Sequence, residues 1–225
     1  MPFFNVIRWV AWKDLISEVR SRETLSSMFF FALIVILVFS FSFSMDQQAA
    51  RELIAGIMWV AFAFTGIIGL GKSFSAELQN DCLEHLQISP GSKGAIYLGK
   101  LAANVVFMFT VEVILFPMFV IFFNLDVVEA LPLLLLIFAL ATLGLSTVGT
   151  LFSAMTVQVR AREVMLPILL LPLAVPVMIA AVEATRGALN GDPIALYGNW
   201  LQLLAVFDIV FSVLSFLAFE WILDA

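Results

Sequence analysis

The chain has 225 residues, of which 63% are hydrophobic and 12% charged, with a formal net charge of −6. A soluble domain of this size must cover itself with polar groups, and this composition cannot supply them, so the solvent for most of the chain is expected to be lipid. One cysteine, Cys82, excludes an intramolecular disulfide and leaves no basis for a cysteine-built metal site, and one histidine adds little to it.

Residues 1–27 come first. In "FFNVIRWVAWKDLISEVRSRETLSS", Phe4, Ile7, Ala11, Leu15 and Val19 recur at helical spacing, while Arg8, Lys13, Arg20 and Arg22 can reach lipid headgroups and Trp9 and Trp12 suit the interface. The segment reads as an interfacial amphipathic helix with no soluble core to pack on. Apolar runs follow at about 28–44, 53–71, 101–123, 131–155, 164–182 and 200–221. Each is close to the ~20 residues that cross ~30 Å of hydrocarbon. The first is no signal peptide, because it sits behind a polar leader and "SFSFSMDQQ" lacks a small-residue cleavage site.

Lys and Arg set the orientation. Arg8, Lys13, Arg20, Arg22, Lys72, Lys93, Lys100, Arg160 and Arg162 fall on one side, and only Arg51 and Arg186 on the other. The bias alternates with each crossing, which places both termini in the cytoplasm. The expected fold is an all-α membrane protein of six transmembrane helices in one permease-like domain, and nothing points to nucleic acid as a partner.

"GIIGLGKS", Gly66 to Ser73, fits the phosphate-loop pattern G-x-x-x-x-G-K-[ST]. A working phosphate loop follows a buried strand and opens a helix in a soluble α/β domain. Here the letters end a transmembrane run, where no sheet can be built. Glycines are common in membrane helices and Lys72 suits a membrane boundary, so this chain is not expected to bind ATP itself.

The cytoplasmic connection at 72–100, "SFSAELQNDCLEHLQISPGSKGAIYLGK" after Lys72, is the longest. Phe74, Leu78, Leu83, Leu86 and Ile88 form a loose apolar stripe, with Glu77, Asp81 and Glu84 on other faces. Asn80 or Asp81 can cap a short helix through "CLEHLQI", and Ser89-Pro90-Gly91 stops it. The carboxylates would be repelled by anionic headgroups, which favours docking to a cytoplasmic protein over lipid binding.

This connection resembles the first cytoplasmic loop of the type-2 ABC exporter permeases and, within them, the haem exporter protein B (CcmB) family, the permease of cytochrome c maturation. Three stretches carry the resemblance: "GIMWVAFAFTGIIGLGKSF" at 56–74, "NDCLEHLQISPGSKGAIYLGKLAAN" at 80–104 and "REVMLPILLLPLAVPVMIAAVEA" at 162–184. It covers most of residues 8–185, while the last forty residues match only in hydropathy. Asp81-Cys82 stands where the family has Asp-Gly-Ser or Asp-Gly-Thr before Leu-Glu, so no glycine interrupts a helix there.

The resemblance implies a permease subunit in a bacterial inner membrane, paired with a separate CcmA-like ABC ATPase that owns the true phosphate loop and binds the ATP. Its short coupling helix would enter a cleft of that ATPase through Leu83, Glu84 and Leu86. CcmC-like and CcmD-like membrane proteins and a second copy of the chain are the further partners it implies. No cofactor is bound directly, and haem is the expected cargo of the complex, either exported or released as a haem complex.

Two carboxylates lie within spans. Glu112 is mid-span and Asp208 about a third of the way into the last. Such groups by default mark function or a buried partner. They read either as a proton relay or substrate contact, or as hydrogen bonds between spans or protonated side chains. The second reading is preferred, since no Lys or Arg is expected within the membrane. The alternative function is a self-contained channel or proton-coupled carrier using Glu112 and Asp208, or a permease for another substrate. His85 has no second ligand in view and reads as a surface residue rather than a haem ligand. Thr142, Ser146, Thr150 and Ala154 make a small-residue stripe suited to close helix packing. Pro167, Pro172 and Pro176 are expected to bend or break the fifth span and are its candidate hinge.

Overall fold

The structure, a computed structural model, describes residues 3–20, 22–42, 47–74, 93–157, 159 and 161–222. Seven helices account for most of the described residues: α1 Phe3–Arg20, α2 Arg22–Ser42, α3 Gln47–Lys72, α4 Lys93–Phe123, α5 Leu131–Thr156, α6 Arg162–Asn190 and α7 Ile194–Ile222. Six of them, α2 to α7, are long and apolar enough to cross a membrane. Backbone groups satisfied within each helix are what lipid demands of a spanning element.

The helices are longer than the apolar runs alone indicate. Helix α2 reaches back to Arg22, ahead of the apolar run that starts at about 28. Helix α4 begins at Lys93, so residues 93–100 at the end of the cytoplasmic connection are helical and continuous with the third span. The cause lies in "KGAIYLGK", where Gly94, Ala95, Ile96, Tyr97, Gly99 and Lys100 are all buried against neighbouring helices. With 31 residues, α4 is ~46 Å long and outruns the ~30 Å hydrocarbon layer.

That projecting turn gives α1 something to pack on, contrary to the expectation of a helix without a protein core. The two helices meet closely at Gly99, where an added Cβ would lie 2.7 Å from Val10 Cβ and 3.0 Å from the Ile7 carbonyl oxygen. The packed face keeps Ile7, Ala11 and Leu15 of the expected stripe and adds Val10 and Asp14. Ile7, Val10, Ala11, Asp14 and Leu15 are half-buried, whereas Phe4 is 80% exposed and Trp9 and Trp12 also point outward. The Val19 side chain lies outside the described residues.

The core sits where α3, α4, α5 and α6 meet. Trp59, fully buried on α3, donates from Nε1 to Thr185 Oγ1 on α6 (2.9 Å) and packs edge-on against Phe62 and Phe138. A buried indole N–H needs such an acceptor. Phe116 and Phe119 complete the aromatic cluster from α4.

The fifth span is not broken. Helix α6 runs from Arg162 to Asn190 with Pro167, Pro172 and Pro176 inside it. The prolines leave the carbonyls of Glu163, Ile168 and Pro172 without their helical donors. The helix packs on α3, α5 and α7 and runs on despite that loss, with Val164, Ile168, Val175 and Ile179 left on an exposed face. It ends at Gly191, whose φ of +72° closes a left-handed cap with bonds back to Ala188 and Gly187. Helix α7 then returns at the rim, its apolar face (Val206, Ile209, Val210, Val213, Leu217) turned outward.

Candidate functional site

The phosphate-loop letters are helix. Gly66 to Lys72 form the last turns of α3, and Ser73 closes a turn onto the Leu70 carbonyl (3.1 Å). The glycines serve packing. A Cβ on Gly66 would fall 2.3 Å from Met108 Cε, and one on Gly69 would fall 3.3 Å from Met28 Cε. No strand precedes the motif among the described residues, so the cradle of free N–H groups that holds a phosphate is not built here.

Leu83, Glu84 and Leu86, the proposed ATPase contacts, lie outside the described residues, as do Cys82, His85 and the cap candidates Asn80 and Asp81. The root from which that segment springs is described. Phe74 ends the stretch that enters it, and Lys93 begins the helix that leaves it. A second apolar cluster gathers there from Phe74, Tyr97, Leu101, Val157 and Phe219. Tyr97 stacks obliquely on Phe219 at 5.1 Å and donates its hydroxyl to the Thr147 carbonyl (3.1 Å). The ends of α3, α5 and α7 and the start of α4 thus share one plate of side chains.

Lys100 has partners that the sequence did not foretell. Counted as a cation opening the third span, it is in fact fully buried. Its Nζ donates to Asp14 Oδ2 (2.9 Å) and to the Ser73 carbonyl (3.0 Å), and it lies 4.3 Å from the centre of the Phe74 ring. A buried ammonium persists only when paired and hydrogen-bonded in this way.

The stripe on α5 faces a matching stripe on α4. Asn104 Nδ2 donates to Thr150 Oγ1 (2.8 Å), Ser146 Oγ to Met108 Sδ (3.3 Å) and Thr142 Oγ1 to Glu112 Oε2 (2.5 Å). Phe116 and Phe138, one turn further along each helix, meet edge to face at 5.3 Å. The partners advance by four residues on α4 as they retreat by four on α5, which is the register of an antiparallel pair in contact along one face. The spacing 104, 108, 112 is visible in the sequence, but pairing it with 150, 146, 142 required the fold. Ser153 extends the α5 stripe toward α3 by donating to the Leu70 carbonyl (2.8 Å).

Glu112 and Asp208 are both buried, but they do not share a site. Glu112 reaches α5 at Thr142. Asp208, on α7, presses on α5 at Gly144, where an added Cβ would be 2.8 Å from its Oδ1. Two residues along a helix is a turn of about 200°, so the two carboxylates touch opposite faces of α5. Glu112 Oε1 and both Asp208 carboxylate oxygens have no hydrogen-bond partner among the described residues. Around Glu112 lie Met28, Phe62, Thr65, Gly66, Met108, Val111 and Leu115, a mostly apolar lining.

Comparison with known proteins places this arrangement. Residues 4–224 match the family model described as CcmB protein, which includes the last forty residues, where the eye finds only hydropathy in common. The chain is 33% identical over 219 residues to Heme exporter protein B of Shigella flexneri, covering 88% of this chain and 87% of that protein. It is 30% identical over 182 residues to Heme exporter protein B of Pseudomonas aeruginosa, covering 81% of each. With the counterpart in Haemophilus influenzae it shares 27% over 204 residues. Six spanning helices and a match along almost the whole length lead to one conclusion: the chain belongs to the CcmB family.

Proposed function

We propose that the chain is the membrane permease subunit of an ABC transport system for cytochrome c maturation, driven by a separate ATPase. The carrying observation is the family match over residues 4–224, supported by relatives named Heme exporter protein B that align along most of their own length. ATP is bound and hydrolysed in a CcmA-like partner. The segment 75–92 docks into that partner through Leu83, Glu84 and Leu86, and nucleotide-driven closure there moves the spans rooted at Phe74 and Lys93. Helix α6, with three backbone donors missing at Pro167, Pro172 and Pro176, is the span best suited to flex. Haem is the cargo, moved directly or released as a complex from CcmC-like and CcmD-like membrane partners. The assembly sits in the bacterial inner membrane with both termini of this chain in the cytoplasm.

Affinity purification in mild detergent tests the reading. An ABC ATPase is expected to co-purify, with haem absorbance in the intact assembly. A chain that purifies alone and still transports would overturn it. Orientation has its own reporter in Cys82, the only thiol in the chain. A membrane-permeant maleimide is expected to label it in intact spheroplasts while an impermeant one added outside does not. Labelling by the impermeant reagent would invert the topology.

A further inference from the structure

Segment 75–92 is bounded by two described anchors, and one side chain holds both. Lys100 sits two turns into α4 and bonds backward to the Ser73 carbonyl at the end of α3 and sideways to Asp14 in α1. The Phe74 ring covers its ammonium. Asp14 is itself largely buried and is shared with Lys13, whose Nζ lies 3.0 Å from Asp14 Oδ1. Beside this point Gly99 lets α1 and α4 approach until backbone and side chain touch, so the two helices cannot shift independently without opening the contact.

A buried ion pair rarely adds much net stability over an apolar pair of the same shape. Its use lies in fixing one geometry, because breaking it strands a charge. Here it fixes α1 to both ends of the segment. Apolar contacts at the same place, between Phe74, Tyr97 and Phe219, are non-directional and tolerate sliding. The charge-assisted bonds from one ammonium to a carboxylate and a carbonyl do not.

We propose that the Asp14–Lys100 pair, with the second bond from Lys100 to the Ser73 carbonyl, is a positioning clamp that passes displacement of segment 75–92 into the N-terminal helix as well as into the spans. The proposal rests on the docking role given to that segment above. It makes α1 a moving part of the transmission rather than a passive float at the membrane surface.

The test uses the full chain with its co-purified ATPase in lipid nanodiscs. Cys82→Ser with Trp9→Cys places a single environment-sensitive fluorophore on the exposed side of α1. Its emission is expected to shift on addition of ATP in the otherwise unaltered complex. Asp14→Asn leaves Lys100 its bond to Ser73, and Lys100→Met leaves Asp14 its contact with Lys13. In both variants the ATPase is expected to stay bound while the shift is lost, and the swap Asp14→Lys with Lys100→Asp is expected to restore part of it. An undiminished shift in Asp14→Asn and Lys100→Met with the ATPase retained overturns the clamp alone. Absence of the ATPase from the otherwise unaltered complex overturns the docking reading and the clamp with it. Should Lys100→Met fail to accumulate, Asp14→Asn decides by the same criterion.

Discussion

Leu83→Asp combined with Leu86→Asp is expected to release the ATPase while the six spans remain inserted. Both leucines belong to the apolar stripe of the docking segment and are proposed to enter a cleft of the partner. A carboxylate carried into such a cleft without a counter-charge costs about 3–5 kcal/mol, which is roughly two to four orders of magnitude in affinity. Glu84→Lys acts in the same direction through reversal of one charge. The measurement is co-elution of the ATPase with variant and wild-type permease at equal membrane abundance. Glu112→Gln is the control that should retain the partner, since residue 112 lies in α4 about 19 residues, or ~28 Å of helix, from Lys93. Undiminished co-elution with the double Asp variant would remove the docking assignment.

The second large effect is expected at Glu112 itself. Glu112→Lys puts an ammonium opposite the Thr142 hydroxyl in a lining of Met, Phe, Val and Leu. A lysine near the centre of a membrane helix costs about 2.5–3.5 kcal/mol on insertion scales, and a stranded buried charge costs a similar amount again. The variant should therefore show low abundance and a lowered Tm in detergent. Glu112→Gln keeps a carbonyl oxygen that can accept from Thr142 and should stay near wild type in both. Its maturation activity then separates two roles. Retained activity means that the carboxylate is a structural acceptor between α4 and α5. Lost activity at full stability means that it takes part in chemistry, as a proton-coupled carrier would require.

Much of this was legible in the sequence because lipid imposes few solutions. The number of spans, their order and the charge bias follow from apolar run lengths and Lys/Arg placement, and the phosphate-loop letters could be dismissed on context alone. Helix ends were less legible. Residues 93–100 mix glycine, lysine and tyrosine and read as loop, yet they are helical because α1 and α7 bury them. The same burial hid Lys100, since no local pattern in one chain segment announces that Asp14, 86 positions earlier, will meet it. Pro167, Pro172 and Pro176 left open whether the fifth span would bend or break, and α6 runs through all three without a break. The Asp208 contact with Gly144 was out of reach for a similar reason, being set by how α7 lies across α5.

The four-residue rungs between α4 and α5 have a mechanical consequence. A slide of less than a full turn, ~6 Å, leaves every rung facing a gap, so the two helices behave as a toothed pair rather than a lubricated one. The teeth are also asymmetric. Moving α4 one turn toward the Val157 end of α5 would bring Glu112 from Thr142 to Ser146, another hydroxyl, and Met108 from Ser146 to Thr150. Moving it one turn the other way would set the carboxyl group on the ring of Phe138. The two directions are thus not equivalent for the Glu112 carboxyl group, while for Asn104 the order is reversed, since travel toward Val157 takes it from Thr150 to Ala154 and travel the other way brings it to Ser146.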